Sequence, residues 1–447
     1  MLIYVAFVAF SARNQEVDRG MTVRRILTDA YFDGETLFDR GPFLVTVDGG
    51  MIMRVECAAP ETFADAAGAF LMPGLVEAHA HLFLDGALVD AGARNARLTA
   101  SAADMLAAAR DNLAKSTRAG VTVMRDAGDR YGINHVMRDE LAACKDAPIA
   151  LRSPGPALKR AKRYGAFIGH NVGGGDELRA AVAELCRASD DIKIILTGVV
   201  DFADDCVKSS PQFDVDELRL IVTEAHTQGR MTFAHCSGLA GLETAVAAGV
   251  DSIEHGYFIT RDILGRMADK RIAWAPTFAP VHFQRAEPQH AGWDRATVGN
   301  LSRLLDDHAE QVRHAYELGV AVLAGSDAGS PGVDHGDGLI DELLHLLRAG
   351  LPMHAVLRAA TSLPRALWNM PSARIAPGSR ADMIMLDSSP FDDPSALRNV
   401  RLVVKGGCHV PVDASGRVGA AAPPAPASDD DDFAISLSCI SPCPSER

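Results

Sequence analysis

Apolar and polar positions change rhythm twice along this chain. From Thr22 to about Phe70 they alternate with a period of two, as in Phe43-Leu44-Val45-Thr46-Val47-Asp48, a Gly49-Gly50 turn and Met51-Ile52-Met53-Arg54-Val55. That pattern predicts strands and a hairpin. The same texture returns only near the end, in Ala381-Asp382-Met383-Ile384-Met385-Leu386-Asp387 and Val400-Arg401-Leu402-Val403-Val404-Lys405. The two flanks are therefore expected to join as one small β domain.

Between the flanks, short apolar runs alternate with helical stretches. The runs are 71–81, 121–126, 149–152, 192–196, 231–235, 250–255, 271–275 and 320–327, which makes eight. Helical periodicity covers 102–119, 135–145, 176–188, 215–228 and a long stretch ending at Leu318. Eight parallel strands with crossover helices predict an α/β fold closed as a TIM barrel, whose reactive groups sit at the C-terminal strand ends. An open doubly wound sheet competes with it, but no G-x-G-x-x-G opens the first helix. The expected organisation is a distorted (β/α)8 barrel over 71–368, a small β-sandwich domain from 22–70 and 369–412, and a tail over 413–447. That tail is rich in Ala, Pro, Gly, Ser and Asp and is expected to be disordered.

The strand ends carry the chemistry. His79 and His81 close the first run, Lys193 lies in the fourth, His235 and His255 close the fifth and sixth, and Asp327 closes the eighth. On a strand, side chains two apart share a face, so His79 and His81 are expected to project together. Four histidines and an aspartate exceed what one catalytic ion ordinarily takes, which points to two divalent metals, zinc first among them. An ammonium facing two cations would be repelled, whereas burial favours the neutral amine. Neutral Lys193 could add carbon dioxide and bridge the ions as a carbamate. Pairing with Asp327, or snorkelling to the rim, stays open for it.

Composition narrows the partners. A net charge of −14 disfavours nucleic acid or an anionic membrane surface, and no run reaches the length of a membrane span. Eight scattered cysteines without a C-x-x-C pair fit a reducing cytoplasm. The apolar stretch from Met1 to Phe10 invites export as the alternative, yet no Lys or Arg precedes it, and Met21 is a plausible start.

Taken in order, Pro73-Gly74-Leu75-Val76-Glu77-Ala78-His79-Ala80-His81, Ile192-Lys193-Ile194, Ala234-His235, Ala248-Gly249-Val250-Asp251-Ser252-Ile253-Glu254-His255-Gly256, Gly325-Ser326-Asp327-Ala328-Gly329 and Ile375-Ala376-Pro377-Gly378-Ser379-Arg380-Ala381-Asp382 resemble the amidohydrolase superfamily. The likeness is closest to its imidazolonepropionase-like branch, which includes metal-dependent prolidase-type dipeptidases. The resemblance implies His79, His81 and Asp327 on one metal, His235 and His255 on the other, and Lys193 as the carbamylated bridge. It also implies a homo-oligomer. One departure is Ser237, in His235-Cys236-Ser237-Gly238, where many relatives have a second histidine.

The implied activity is hydrolysis of a C–N amide bond in a small molecule, by a metal-bridging hydroxide, with Asp327 relaying the proton to the leaving nitrogen. A dipeptide of prolidase type or an N-acyl amino acid is the expected substrate. A mononuclear deaminase or cyclic-amide hydrolase on the same barrel, and a silent binding scaffold, stay open. Tyr257, His170 and His335 are the candidate substrate contacts. The basic stretch Lys159-Arg160-Ala161-Lys162-Arg163-Tyr164-Gly165 reads first as a solvated loop, with a carboxylate site as the alternative if it covers the barrel mouth.

Overall fold

A computed structural model describes residues 22–411. The expectations for the first twenty residues and for the acidic tail lie outside that range. Helix starts follow local chemistry: Ser101 caps Ala102–Arg118, and Asp214 with Glu217 forms a capping box for Val215–Thr227.

The flanking segments form one mixed sheet. Its order is Cys408–Val410, Val400–Lys405, Met383–Leu386, Ala66–Pro73, Arg25–Phe32, Phe43–Asp48, Met51–Cys57, with Leu37–Phe38 paired on Arg25–Phe32. Where a two-layer sandwich was expected, a single sheet curls until its ends meet. Bridges join Met51 to Arg380 and Thr22 to Cys408. The curl encloses Val23, Ile26, Val45, Ile52, Leu71, Met383 and Val404, and strand twist brings the two edges together without a second layer.

The chain leaves this sheet at Pro73, turns at Gly74 and enters a parallel one. Leu75–Ala80, Val121–Asp126 and Ala150–Arg152 form a three-stranded parallel sheet. A six-stranded parallel sheet follows in the order Gly169–Asn171, Ala157–Lys159, Asp191–Ile195, Met231–Cys236, Ser252–His255, Ala273–Ala275. The ladder is not closed as the eight-strand barrel reading expected. Between Arg152 and Ala157 the segment Ser153-Pro154-Gly155-Pro156 breaks it, because proline has no N–H to contribute. Arg152 spans that break to Asp191 at 2.7 and 2.9 Å. On the other side, 320–327 forms no ladder strand. It is fastened instead by Trp274 N–H to Ala321 O, Ala78 N–H to Ala324 O and Asp327 N–H to His79 O, at 2.9, 3.0 and 2.7 Å.

Inside this ring a stack runs from Trp368 through Arg125 and Phe233 to Lys193. The Arg125 guanidinium lies 4.9 Å from the Trp368 ring centre and 4.1 Å from that of Phe233. Lys193 Nζ lies 4.7 Å from the same Phe233 ring, so the amine and the guanidinium meet one aromatic side chain. No helix among the described residues is long and apolar enough to cross a membrane.

Candidate metal centre

The first strand does not deliver its two histidines by simple alternation. Its ladder to Val121–Asp126 shifts register between Glu77 and Ala80, and His81 lies just past the strand end. Such irregularities re-aim side chains next to functional sites. Glu77 holds the irregular segment by accepting from His79 N–H and Ser326 N–H, both at 3.0 Å, and from Ser326 Oγ–H at 2.5 Å. Asp327 is thereby set beside the histidines, its Oδ1 at 3.6 Å from His79 Nε2 and 3.4 Å from His81 Nε2.

His235 and His255 come from the opposite side. The ring centres of His79 and His255 are 5.1 Å apart, and those of His235 and His255 are 4.5 Å apart. Glu254 and His255 are adjacent, so a regular strand would aim them to opposite faces. His255 instead has φ +67°, which turns its ring back toward the site. Asp327 and Thr277 are likewise left-handed, at +56° and +51°, and Thr277 Oγ1 lies 2.7 Å from His255 Nδ1. Strained backbone of this kind persists where surrounding contacts over-determine it. Gly256 follows at φ +72°, and a Cβ there would meet the Trp274 indole nitrogen at 2.4 Å. That indole donates to His255 O at 2.9 Å, which leaves no room for a side chain.

Three polar atoms at this place, His79 Nε2, Lys193 Nζ and His235 Nε2, are buried and make no hydrogen bond to any described residue. Among the described residues, His79, His81 and Asp327 are the one group whose donor atoms all lie within 4.8 Å of each other and suit a metal ion. The histidine tautomers suit one as well. His79 Nδ1 is 2.6 Å from a Glu254 carboxylate oxygen and His81 Nδ1 is 3.3 Å from Gly128 O, both acceptors, so each Nε2 keeps its lone pair.

The amidohydrolase family profile matches residues 70–418. This chain belongs to that family. The amidohydrolase is 29% identical to an uncharacterized protein of Mycobacterium tuberculosis, over 80% of this chain and 89% of the relative. It is 28% identical to the ochratoxinase of Aspergillus niger, over 52% of this chain and 49% of that enzyme. The fold superposes on that ochratoxinase with a TM-score of 0.72 at 21% identity, covering 88% of this chain and 96% of the other. A Xaa-Pro dipeptidase gives 0.73 at 24% identity, covering 87% and 99%.

The electrostatics of the amidohydrolase site keep its imidazoles neutral, the form that binds metal. Burial, with Lys193 adding repulsion, holds His81 and His235 down to about 3, and pushes His79 well below its ordinary value. Burial, with His235 and His79 as neighbours, does the same to His255. Burial also lowers Lys193 to about 8, against the pull of Glu254, and raises Asp327 to about 7.

Two residues without an assigned role in the sequence reading organise the site. Glu254 takes His79 Nδ1–H at 2.6 Å, Ser252 Oγ–H at 2.6 Å and Arg125 Nη2–H at 3.0 Å. Arg125 also donates to Ala78 O at 2.8 Å. The signal that marks both is a charged residue one position before the end of a fully buried strand.

The candidate substrate contacts lie at three different depths. Tyr257 is buried, gives its hydroxyl proton to Thr277 O at 3.0 Å and stacks on His308 at 4.3 Å. His170 is exposed on the short strand Gly169–Asn171. His335 is buried near His81 and lines, with Lys115 and Asp334, a cavity of about 320 Å³. In the basic stretch, Arg160 donates to Val172 O, Gly173 O and Glu217, and Arg163 to Ser210 O.

Glu342, on helix Asp337–Arg348, accepts the N–H groups of Phe278 and Ala279 at 3.0 and 3.1 Å and so holds the segment after Ala273–Ala275. Burial pushes its carboxyl up to about 8. Between the ordinary glutamate value of about 4.3 and that figure, the unfolded chain binds fewer protons than the folded one. Stability therefore falls as pH rises through this window. Glu342→Gln is expected to flatten the fall, read as a shallower dependence of Tm on pH between about 5 and 8.

Proposed function

We propose that this chain is a binuclear metal-dependent hydrolase that cleaves a C–N amide bond in a small molecule, a dipeptide of prolidase type or an N-acyl amino acid first. The reading takes the interrupted ring over 71–368 as a distorted (β/α)8 barrel, with 22–70 and 369–412 as its companion β domain. The observation that carries it is that three unpartnered buried nitrogens, from His79, Lys193 and His235, lie close enough to Asp327, His81 and His255 for their charges to be felt there. A buried polar atom left unpaired costs about 1–3 kcal/mol, so three together require a partner from outside the chain.

His79, His81 and Asp327 would hold one divalent ion and His235 with His255 a second, with zinc suited to this nitrogen and oxygen set. When bound, such ions supply Lewis acidity, which lowers the pKa of a coordinated water to about 7 and polarises a carbonyl. Lys193, at about 8, keeps a useful fraction of neutral amine near neutral pH. That amine adds carbon dioxide: the N–C bond forms, one proton leaves to solvent, and an anionic carbamate remains. Asp327, set beside His79 and His81 where a coordinated water would lie, would take a proton and give it to the leaving nitrogen. The Xaa-Pro dipeptidase and ochratoxinase likenesses support an amide substrate.

The test is reconstitution with zinc, ion counting by mass spectrometry, and a screen of Xaa-Pro dipeptides, N-acyl amino acids and cyclic amides. The expected result is about two ions per chain and amide turnover that a chelator abolishes and zinc restores. About one ion with deamination of a heterocycle would favour the mononuclear reading instead. A chain that takes up no metal and turns over nothing would return it to a binding scaffold.

A further inference from the structure

We infer that Tyr164 donates the hydrogen bond that polarises the scissile carbonyl oxygen and stabilises the oxyanion formed from it; this rests on the amide-hydrolase reading above. The Tyr164 ring is centred 5.3 Å from that of His235, and Phe167 meets it edge-on at 6.0 Å. The ring is thus held on two sides against one of the proposed ligands. Its hydroxyl makes no hydrogen bond to any described residue, whereas Tyr131 gives its own to Leu98 O at 2.7 Å and Tyr257 to Thr277 O at 3.0 Å. A phenol has one proton to donate, and in Tyr164 that proton is still unused.

The basic stretch explains why the ring stands still. Arg160 is fastened through its backbone N–H to Gln212 Oε1 at 2.9 Å and through its guanidinium to Val172 O, Gly173 O and Glu217. Arg163 reaches Ser210 O, and Gln212 Nε2 donates to Tyr164 O at 3.1 Å. Gly165, at φ +97°, lets the loop press on Asp191–Ile195, where a Cβ would meet Ile195 Cγ1 at 2.9 Å. These arginines therefore act as a clamp on the loop that carries Tyr164, and a donor fixed before reaction is the kind that contributes most to the transition state. The other two aromatic candidates are placed differently: the Tyr257 proton is spent on Thr277 O, and His170 faces solvent at the sheet edge.

Tyr164→Phe removes one unpartnered oxygen and keeps the ring, so the zinc-loaded variant is expected to match the native chain in Tm and metal content. Its kcat on the best amide from the screen is expected to fall by about 10²- to 10³-fold with KM changed less than about threefold. Affinity for a phosphonamidate mimic of the tetrahedral intermediate is expected to fall with kcat, while affinity for the product amine holds. Unchanged kcat and unchanged mimic affinity would overturn the assignment, as would a rise in KM alone, which marks ground-state binding. Absence of amide turnover by the native chain would instead sink the amide-hydrolase reading, and mimic affinity in the two proteins would still decide the role of Tyr164.

Discussion

Lys193→Met is expected to leave the chain folded, with equal or higher Tm when both proteins are metal-free, while metal content after zinc loading drops from about two ions to one or fewer and kcat/KM falls by about 10³-fold or more. That loss corresponds to roughly 4 kcal/mol of transition-state stabilisation. The unusual half of this prediction is the stability. Lys193 is 1% exposed, its Nζ has no hydrogen-bond partner among the described residues, and it lies against the Phe233 ring. Taking an ammonium out of water without a partner is costly, and methionine has a similar length without the charge. A lysine kept merely for packing would behave otherwise, since its replacement would leave metal and turnover nearly untouched. Calorimetry, ion counting and steady-state kinetics on the same preparation separate the two cases.

Glu254→Gln is expected to weaken both the fold and the metal site, by different routes. The carboxylate is fully buried between His79 and Arg125, which is itself 2% exposed. Removing its charge strands the Arg125 guanidinium, at a cost of about 3–5 kcal/mol for a buried pair broken on one side. It also releases the tautomer and orientation of His79, for which losses of about 10–100-fold in metal affinity are usual. The double variant Glu254→Gln with Arg125→Met removes the stranded charge as well. It is expected to regain most of the lost stability in denaturant titrations and none of the lost affinity. Recovery of both would mean that Glu254 acts on metal binding through the fold alone.

The six residues gathered at the site were legible because each ends, or lies in, a short apolar run, where a polar group needs a partner; Glu77, Arg125 and Glu254 lie in such runs too and find theirs within the chain. Helix positions were legible for a similar local reason, as with Ala102–Arg118, whose cap and periodicity are written in neighbouring residues. Tyr257 illustrates the limit: its place two residues past His255 says nothing about Thr277 O, which takes its proton. The basic stretch leaves a solvated loop and a ligand site both open, and neither reading shows that Glu217 and Ser210 occupy its arginines.

What the chain's order of residues determined by itself was most of the strands and helices between Thr22 and Leu318, the residue types at the strand ends and the family. Those depend on neighbours a few positions apart. Only the tertiary structure decided how the groups converge: the register shift between Glu77 and Ala80, the left-handed turns at His255 and Asp327, and the pairing of Glu254 with Arg125 across 129 positions. A period of two specifies which face a side chain takes. It cannot specify a strand end that departs from the period, nor which distant strand a buried charge will meet, because both are set by how the ring comes together.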